Sequence, residues 1–203
     1  ADCTFTGNSA DFGNGGGMWN YQGTPTLIDC TFTNNSAANG GGMWNYESSP
    51  TLTDCAFTSN SVTGLFSRGG GMYNESSSPA LIGCTFATNS ATGNISTGGG
   101  MWNYDGSAPT LDNCTFTGNS ASSGGGGMYN EESSSPALIG CTFSSNSAEL
   151  GGGMYNLNDS TPTLTGCNFC GNTTSGSGNR NVQGDIDASS SGRERHTAGA
   201  IVG

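Results

Sequence analysis

A repeated pattern constrains the fold of this chain more than any other feature. The pattern reads P-[TA]-L-x-x-C-x-F-x-x-N-[ST], then a gap of variable length, then G-G-G-M-[WY]-N. Its proline occurs at positions 25, 50, 79, 109, 136 and 162, so the copies lie 25 to 30 residues apart. Self-similarity at such a period is typical of a repeat architecture, in which a single copy cannot bury its apolar face but stacked copies can.

The short segments inside each copy alternate as β-strands do. Cys-Thr-Phe-Thr and Gly-Met-Trp-Asn place every second side chain on one face, and Gly, Ser and Asn separate the segments. Helical periodicity is absent, and Gly-Gly-Gly and Pro in every copy would break helices. We therefore predict an all-β fold, a single-stranded parallel β-solenoid with one repeat per coil and about 4.8 Å of height per coil.

Identical positions of successive coils should then stack into columns. We place Leu, Cys, Phe and Met inward as a narrow core, and the Asn of Phe-x-x-Asn at a bend where it hydrogen-bonds along the axis. The variable gap is predicted to be a surface loop, because insertions there leave the columns intact. The predicted core ladders contain Cys30, Cys55, Cys84, Cys114 and Cys141; Phe32, Phe57, Phe86, Phe116 and Phe143; and Asn35, Asn60, Asn89, Asn119 and Asn146.

Two motifs of the repeat resemble those of the chlamydial polymorphic membrane proteins. Phe-x-x-Asn occurs from Phe5/Asn8 to Phe143/Asn146. The second motif occurs from Gly16-Gly17-Met18 to Gly152-Gly153-Met154, with Gly and Met where that family prefers Ala and a branched aliphatic residue. The resemblance covers roughly residues 3–172. It implies a right-handed parallel β-helix of the kind found in autotransporter adhesins, and similar repeats occur in large bacterial surface proteins.

The pattern also divides the chain. Residues 1–172 are predicted to be solenoid repeats, and residues 173–203 an irregular C-terminal coil and tail, because both motifs stop after Cys170. We expect the apolar "TAGAIVG" of residues 197–203 to add a strand to a neighbouring molecule, which would give head-to-tail filaments. The alternatives are a tail that folds back as a cap and a disordered tail.

Charge excludes two classes of partner. The chain has no Lys, four Arg and a net charge of -11, whereas nucleic acids and anionic membranes require a basic face. No apolar run approaches the roughly 18 residues of a membrane-spanning segment, so we expect no membrane insertion. Self-association, glycans, and host or other cell surfaces remain as possible partners.

The cysteines allow three interpretations. Neighbouring thiols in a column could be buried as small hydrophobes, or they could form disulfides between coils, which an extracellular compartment permits. Parallel Cβ vectors keep stacked Cβ atoms about 4.8 Å apart, beyond the usual disulfide range of about 3.5–4.5 Å. A metal site is the third alternative, since Cys167 and Cys170 form a close pair.

The aromatic position after each Met is the main candidate for a binding surface. If Met points inward, strand alternation places the next residue outward, and successive coils would build an apolar stripe large enough for an interface. The opposite register would make the aromatic residues core. The candidate interface stripe contains Trp19, Trp44, Tyr73, Trp102, Tyr129 and Tyr155.

No constellation of catalytic residues stands out, although other β-helix proteins act on polysaccharides. Asp29 and Asp54 occupy equivalent positions of adjacent copies, but Arg68 is the only basic residue in the coils. We predict no enzymatic activity and no cofactor, with a weak surface Ca²⁺ site as an open alternative. The outward Thr-x-Thr positions could bind ice, but Ala56, Ala87 and Ser144 interrupt them.

These observations favour a secreted or cell-surface protein with a structural or adhesive function. We predict a rigid rod that assembles head to tail into a filament or is displayed as an adhesin. The alternative is a carbohydrate-binding or carbohydrate-active β-helix protein that uses the aromatic stripe. Loss of glycan binding on replacement of Trp44 and Trp102 would favour that alternative.

Overall fold

Successive repeats stack as coils along one axis. The computed structural model describes residues 1–176 and 182–183, whose strands form four parallel sheets. Each repeat contributes one strand to each sheet, which confirms the predicted all-β solenoid with one repeat per coil. In this described part of the chain, no helix is long and apolar enough to cross a membrane.

The first coil holds three strands and each later coil holds four. Coils 1 to 3 contain β1 (Thr4–Thr6), β2 (Ser9–Asn14), β3 (Met18–Tyr21), β4 (Thr26–Ile28), β5 (Thr31–Thr33), β6 (Ser36–Asn39), β7 (Met43–Tyr46), β8 (Thr51–Thr53), β9 (Ala56–Thr58), β10 (Ser61–Thr63) and β11 (Met72–Glu75). Coils 4 and 5 contain β12 (Ala80–Ile82), β13 (Thr85–Ala87), β14 (Ser90–Thr92), β15 (Met101–Tyr104), β16 (Thr110–Asp112), β17 (Thr115–Thr117), β18 (Ser120–Ala121) and β19 (Met128–Asn130). Coils 6 and 7 contain β20 (Ala137–Ile139), β21 (Thr142–Ser144), β22 (Ser147–Ala148), β23 (Met154–Asn156), β24 (Thr163–Thr165), β25 (Asn168–Cys170), β26 (Thr173–Thr174) and β27 (Val182–Gln183).

Corresponding strands of successive coils pair in parallel, and we name each sheet after one of its inward residues. Pairing joins identical positions, as in Phe32 with Phe57 and Met43 with Met72. The Leu sheet is β4-β8-β12-β16-β20-β24, the Phe sheet is β1-β5-β9-β13-β17-β21-β25, the Ala sheet is β2-β6-β10-β14-β18-β22-β26, and the Met sheet is β3-β7-β11-β15-β19-β23-β27.

Identical side chains stack inside the coils. The Phe rings lie 4.5–4.8 Å apart between centroids from Phe5 to Phe169, with their planes within 7° of parallel. The Leu, Cys and Met columns join the Phe column in one buried cluster. The core therefore consists of columns that each contain one residue type, and every coil fills the same space with the same residues.

An asparagine ladder closes the bend after the Phe sheet. Asn60 Oδ1 accepts from the backbone N–H of Asn35 at 3.0 Å and from its Nδ2 at 2.9 Å. Asn60 Nδ2 donates to the Phe32 carbonyl at 2.8 Å and to Asn89 Oδ1 at 3.0 Å. The donors of each buried amide are thus satisfied along the axis, which removes the penalty for burying them. The fully buried members are Asn35, Asn60, Asn89, Asn119 and Asn146.

Glycine is required where the backbones of neighbouring coils approach before the Met sheet. A Cβ on Gly42 would lie 2.5 Å from the Gly71 carbonyl oxygen and 2.9 Å from the Phe57 ring. Gly40, two residues earlier, has a φ of 61°, in the left-handed region that glycine adopts without strain. The Gly-Gly-Gly run therefore allows successive coils to stack closely.

The coils continue past the last Phe-x-x-Asn. β26 pairs with β22 of the Ala sheet, and β27 pairs with β23 of the Met sheet. The strand Val182–Gln183 thus lies within the predicted irregular C-terminal coil. The predicted domain boundary at residue 172 is untested and stays a prediction. Residues 197–203, which are predicted to add a strand to a neighbouring molecule, lie outside the described residues.

Candidate functional site

The Met sheet has the inside-outside alternation that the sequence predicts. Met43, Met72 and Met101 are fully buried in the main core, and the Asn residues two positions later are buried as well. The aromatic residues between them form a separate cluster on the other side of the sheet. Successive side chains of a strand point to opposite faces, so Met inward requires the aromatic ring outward.

The outward rings form one continuous column. Ring centroids lie 5.6 Å apart for Trp19 and Trp44, 5.8 Å for Trp44 and Tyr73, and 4.5 Å for Tyr73 and Trp102. The column continues to Tyr129 at 6.4 Å and then to Tyr155 at 5.3 Å. These distances fall in the range of stacked and tilted aromatic pairs, so the column contributes stability as well as surface.

The expectation that this whole stripe is open to solvent is wrong for its middle members. Tyr73, Trp102 and Tyr129 are buried, and Trp102 is only 1% exposed. The Arg68 guanidinium carbon lies 4.5 Å above the Trp102 ring, and the Tyr129 ring packs over Gly124. Neighbouring columns on the same face therefore cover rings that the strand itself directs outward.

A second outward column, which is not part of the predicted interface stripe, lies beside the first. It occupies the position two residues after each outward ring and contains Tyr21, Tyr46, Glu75, Tyr104, Glu131 and Leu157. Tyr21 and Tyr46 stack at 5.6 Å, and Trp44 lies 5.8 Å from Tyr46. The period-2 rule predicts that residues two apart share a face, so the "MWNY" copies carried this signal in the sequence.

In the first two coils the two columns combine into an open aromatic array of Trp19, Tyr21, Trp44 and Tyr46. Trp19 is 58% exposed and Tyr21 is 55% exposed, while the rings of the second coil are half-buried. Asn14 and Asn39 flank the array where the third coil has Arg68. Asn39 Nδ2 donates to Asn14 Oδ1 at 3.0 Å, so these two side chains bond to each other.

The electrostatic surroundings of the aromatic columns are negative. The negative charge of Glu47 is the main cause that raises the pKa of Tyr46. Tyr73 donates a hydrogen bond from its hydroxyl to Glu75 Oε2 at 2.7 Å, and burial together with this bond raises the pKa of Tyr73. Burial raises the pKa of Glu131, although Arg68 acts in the opposite direction. The Tyr46 shift therefore reports the negative charge of Glu47, whereas the shifts of Tyr73 and Glu131 report mainly their burial.

Two indole groups of the column lack a hydrogen-bond partner. The Nε1 atoms of Trp44 and Trp102 are buried and unpaired in the described residues. An unpaired buried donor is unfavourable, which indicates that ring packing decides how these side chains are placed. The column therefore presents mainly aromatic faces rather than polar groups.

The remaining candidate positions are more dispersed. Asp29 and Asp54 both sit in left-handed turns, at φ values of 52° and 51°, and the next copy has Gly83 at this position. Among the described residues, no group of three or more His, Cys, Asp or Glu side chains is placed to hold a metal ion. The outward Thr-x-Thr positions of the Phe sheet are half-buried in coils 2 to 6, with Ala56 and Ala87 among them.

The Cys column consists of free thiols. Cys30, Cys55, Cys84, Cys114 and Cys141 are buried, whereas Cys3 and Cys170 are exposed. The Cys30 thiol donates to the Ile28 carbonyl at 3.3 Å. Hydrogen bonding with Cys141 and burial raise the pKa of the Cys114 thiol, which favours its protonated form. In this structure the column packs as small hydrophobic side chains.

In-register parallel sheets and stacked internal ladders define a β-helix protein. A family model described as "Right handed beta helix region" matches residues 1–169, and the chain belongs to this family. The match confirms the predicted right-handed parallel β-helix, whereas the finer resemblance to the chlamydial proteins stays a prediction. No curated protein and no solved structure matches the chain.

Proposed function

We propose that this chain is a structural or adhesive part of a secreted or cell-surface protein and acts through the surfaces of a rigid rod. The observation that carries the proposal is the uninterrupted stacking of the same columns from Phe5 to Phe169. Such a solenoid gives an extended surface on which equivalent side chains recur at strand spacing. A repeated surface of this kind suits many weak contacts with a partner.

We propose further that the chain is not an enzyme. Glycoside hydrolysis generally requires two carboxyl groups at a defined separation, and metal-assisted cleavage requires a bound ion. The position before Cys is Asp2, Asp29 and Asp54 in the first three copies but Gly83 and Asn113 in the next two, so the acidic positions end after the third copy. Incubation with a panel of polysaccharides tests this point, and release of new reducing ends or unsaturated products would contradict it.

Adhesion is tested by coupling the chain to beads and measuring their retention on bacterial and host cell surfaces under flow. Beads carrying an unrelated globular protein of similar net charge are the control, because charge alone retains beads at low salt. We expect greater retention for the solenoid. Equal retention of the solenoid beads and the control beads on every surface, together with single particles in electron micrographs, would contradict both the adhesive and the structural form of the proposal.

Head-to-tail assembly is the structural form of the same proposal. A stack of parallel strands has unpaired backbone groups at its edges, and such an edge can pair with a strand of another molecule. Contacts between unlike ends do not close, so they produce filaments. Sedimentation velocity over a range of concentrations, with and without residues 197–203, tests this form. Monomers at every concentration would contradict it.

A further inference from the structure

The aromatic column already holds one cation. Arg68 lies in the third coil, and its guanidinium carbon sits 4.5 Å over the ring of Trp102 in the fourth. It is the only Lys or Arg among residues 1–176. A cation over an indole face is attracted by the negative face of the ring, and the guanidinium also stacks on it. This contact shows which chemistry the column accepts.

The open aromatic array offers the same ring faces without a cation of its own. Trp19 and Tyr21 are each more than half exposed, and Trp44 and Tyr46 stack behind them. In the copies that carry the array, the position of Arg68 is occupied by Asn14 and Asn39. Neither Asn provides charge, so a cation on the open array has to come from another molecule.

Acidic side chains lie at or just after the C-terminal ends of the strands that carry these rings. Glu47 follows Tyr46 directly, and it raises the pKa of the Tyr46 hydroxyl. The chain as a whole has a net charge of -11. The acids that follow the outward rings are Glu47, Glu75, Asp105, Glu131, Glu132 and Asp159.

We infer that the open aromatic array binds arginine side chains of a partner protein, through a segment rich in Arg. The inference rests on the proposed adhesive function and names the chemistry of its partner. A guanidinium group would stack on the exposed ring of Trp19 as Arg68 stacks on Trp102, while Glu47 supplies the opposite charge. Arg suits this surface better than Lys because its planar group stacks on aromatic rings and is weakly hydrated.

A neutral glycan fits the described polar groups less well. Sugar sites combine an aromatic face with several free hydrogen-bonding groups that fix the hydroxyls. Here the Trp44 indole nitrogen is buried, and the Gln22 amide already donates to Glu47 Oε2 at 2.7 Å. These two donors are therefore not available to sugar hydroxyls, whereas the exposed ring faces and the negative charge of Glu47 suit a cation.

The test measures binding of a short peptide of alternating Arg and Gly, with tryptophan fluorescence and calorimetry as readouts. The matched probe replaces each Arg by citrulline, which keeps the shape and removes the charge. The variants are Trp19→Ala/Tyr21→Ala and Glu47→Gln. The controls are Ile82→Ala, which removes an exposed apolar side chain from the Leu sheet, and Asp54→Asn, which removes a distant charge. Thermal melts confirm that each variant is folded.

We expect the Arg peptide to bind and the citrulline peptide to bind at least about fivefold more weakly, since a cation–π contact is lost with the charge. The ring variant and Glu47→Gln should each weaken binding of the Arg peptide, while both controls leave it unchanged. Equal binding to the ring variant would show non-specific charge attraction and overturn the inference. Binding of neutral oligosaccharides but not of the Arg peptide would overturn it in favour of a glycan site.

The bead assay separates this inference from the proposed function. If beads carrying Trp19→Ala/Tyr21→Ala adhere as well as the original chain, adhesion stands and the inference fails. If the original chain does not adhere to any surface, the adhesive function fails whatever the peptide does. Loss of adhesion in the ring variant, with retention in Ile82→Ala, supports both.

Discussion

The first coil and the fourth coil use the same outward aromatic position and give it opposite surroundings. Trp19 is 58% exposed, whereas Trp102 is 1% exposed. Both follow Gly-Gly-Gly-Met and both point away from the main core. The surroundings differ because Trp102 has rings on both sides and Arg68 over its face. Burial of an outward residue is therefore set by the columns beside it as well as by its own strand.

The gap before Gly-Gly-Gly supplies much of this difference. It is longest in the third and fourth coils, where it brings Arg68 and Thr97 beside the aromatic column. The same loops carry Leu65, Phe66 and Ile95, which are exposed. The part of the repeat that varies most in length thus decides which part of the aromatic face is covered, while the core columns stay the same.

The largest effect that tests this comparison is in the core. Phe86 is fully buried between two stacked Phe rings, so Phe86→Ala should lower the free energy of unfolding by about 3–5 kcal/mol. Phe5→Ala removes the same side chain from the first coil, where it is only partly buried and stacks on one ring. Chemical denaturation measures both, and equal losses would contradict the difference between the coils.

The core columns could be predicted because every copy repeats them. Leu, Cys, Phe, Met and Asn recur at fixed positions, and a period of two within each strand assigns them inward or outward. Pairing of identical positions then follows, since any other register would break all columns at once. Coil pairing such as Phe32 with Phe57 therefore required no information beyond the repeat itself.

The cover over the aromatic column could not be predicted in the same way. Arg68, Thr97 and Gly124 occupy equivalent backbone positions but share no chemistry. They lie at the end of a gap whose length differs between copies, so alternation does not specify where a long side chain such as Arg68 goes. Contacts of this kind depend on single residues, and a repeat pattern records only what the copies have in common.

The second largest effect lies in the aromatic column itself. Trp102→Ala should destabilise the chain by about 3 kcal/mol, because a buried ring and its neighbours lose their packing. Trp19→Ala should change the stability by less than about 1 kcal/mol, as substitutions at exposed positions generally do. Thermal melts of the two variants compare the enclosed and open parts directly. Similar melting temperatures would show that the middle of the column is not enclosed in solution.

A smaller effect isolates the cation. Arg68→Met keeps an apolar side chain over Trp102 and removes the positive charge, so it should cost about 0.5–2 kcal/mol. In a Trp19→Phe/Trp44→Phe background, Trp102 is the only tryptophan, and acrylamide quenching of its fluorescence reports its exposure. We expect Arg68→Met to leave quenching low and Arg68→Gly to increase it. Unchanged quenching in Arg68→Gly would show that Arg68 does not cover the ring.

The smallest effect concerns an acid at the edge of the enclosed region. Burial raises the pKa of Glu131 in the folded chain, so the ionised form is less favourable there than in the unfolded chain. The native state therefore loses stability as the pH rises through this raised pKa, and the loss is absent below the ordinary glutamate pKa of about 4.3.

Glu131→Gln removes the charge and should stabilise the chain near neutral pH by no more than about 0.5 kcal/mol, with no gain in acid. Asp112→Asn changes an exposed carboxylate on the Leu sheet and is the control for the loss of one negative charge. An equal stabilisation by Glu131→Gln at neutral and at acidic pH would contradict this prediction. It would mean that burial beside the aromatic columns does not disfavour the Glu131 carboxylate, and that the enclosed region is as well hydrated as the open array.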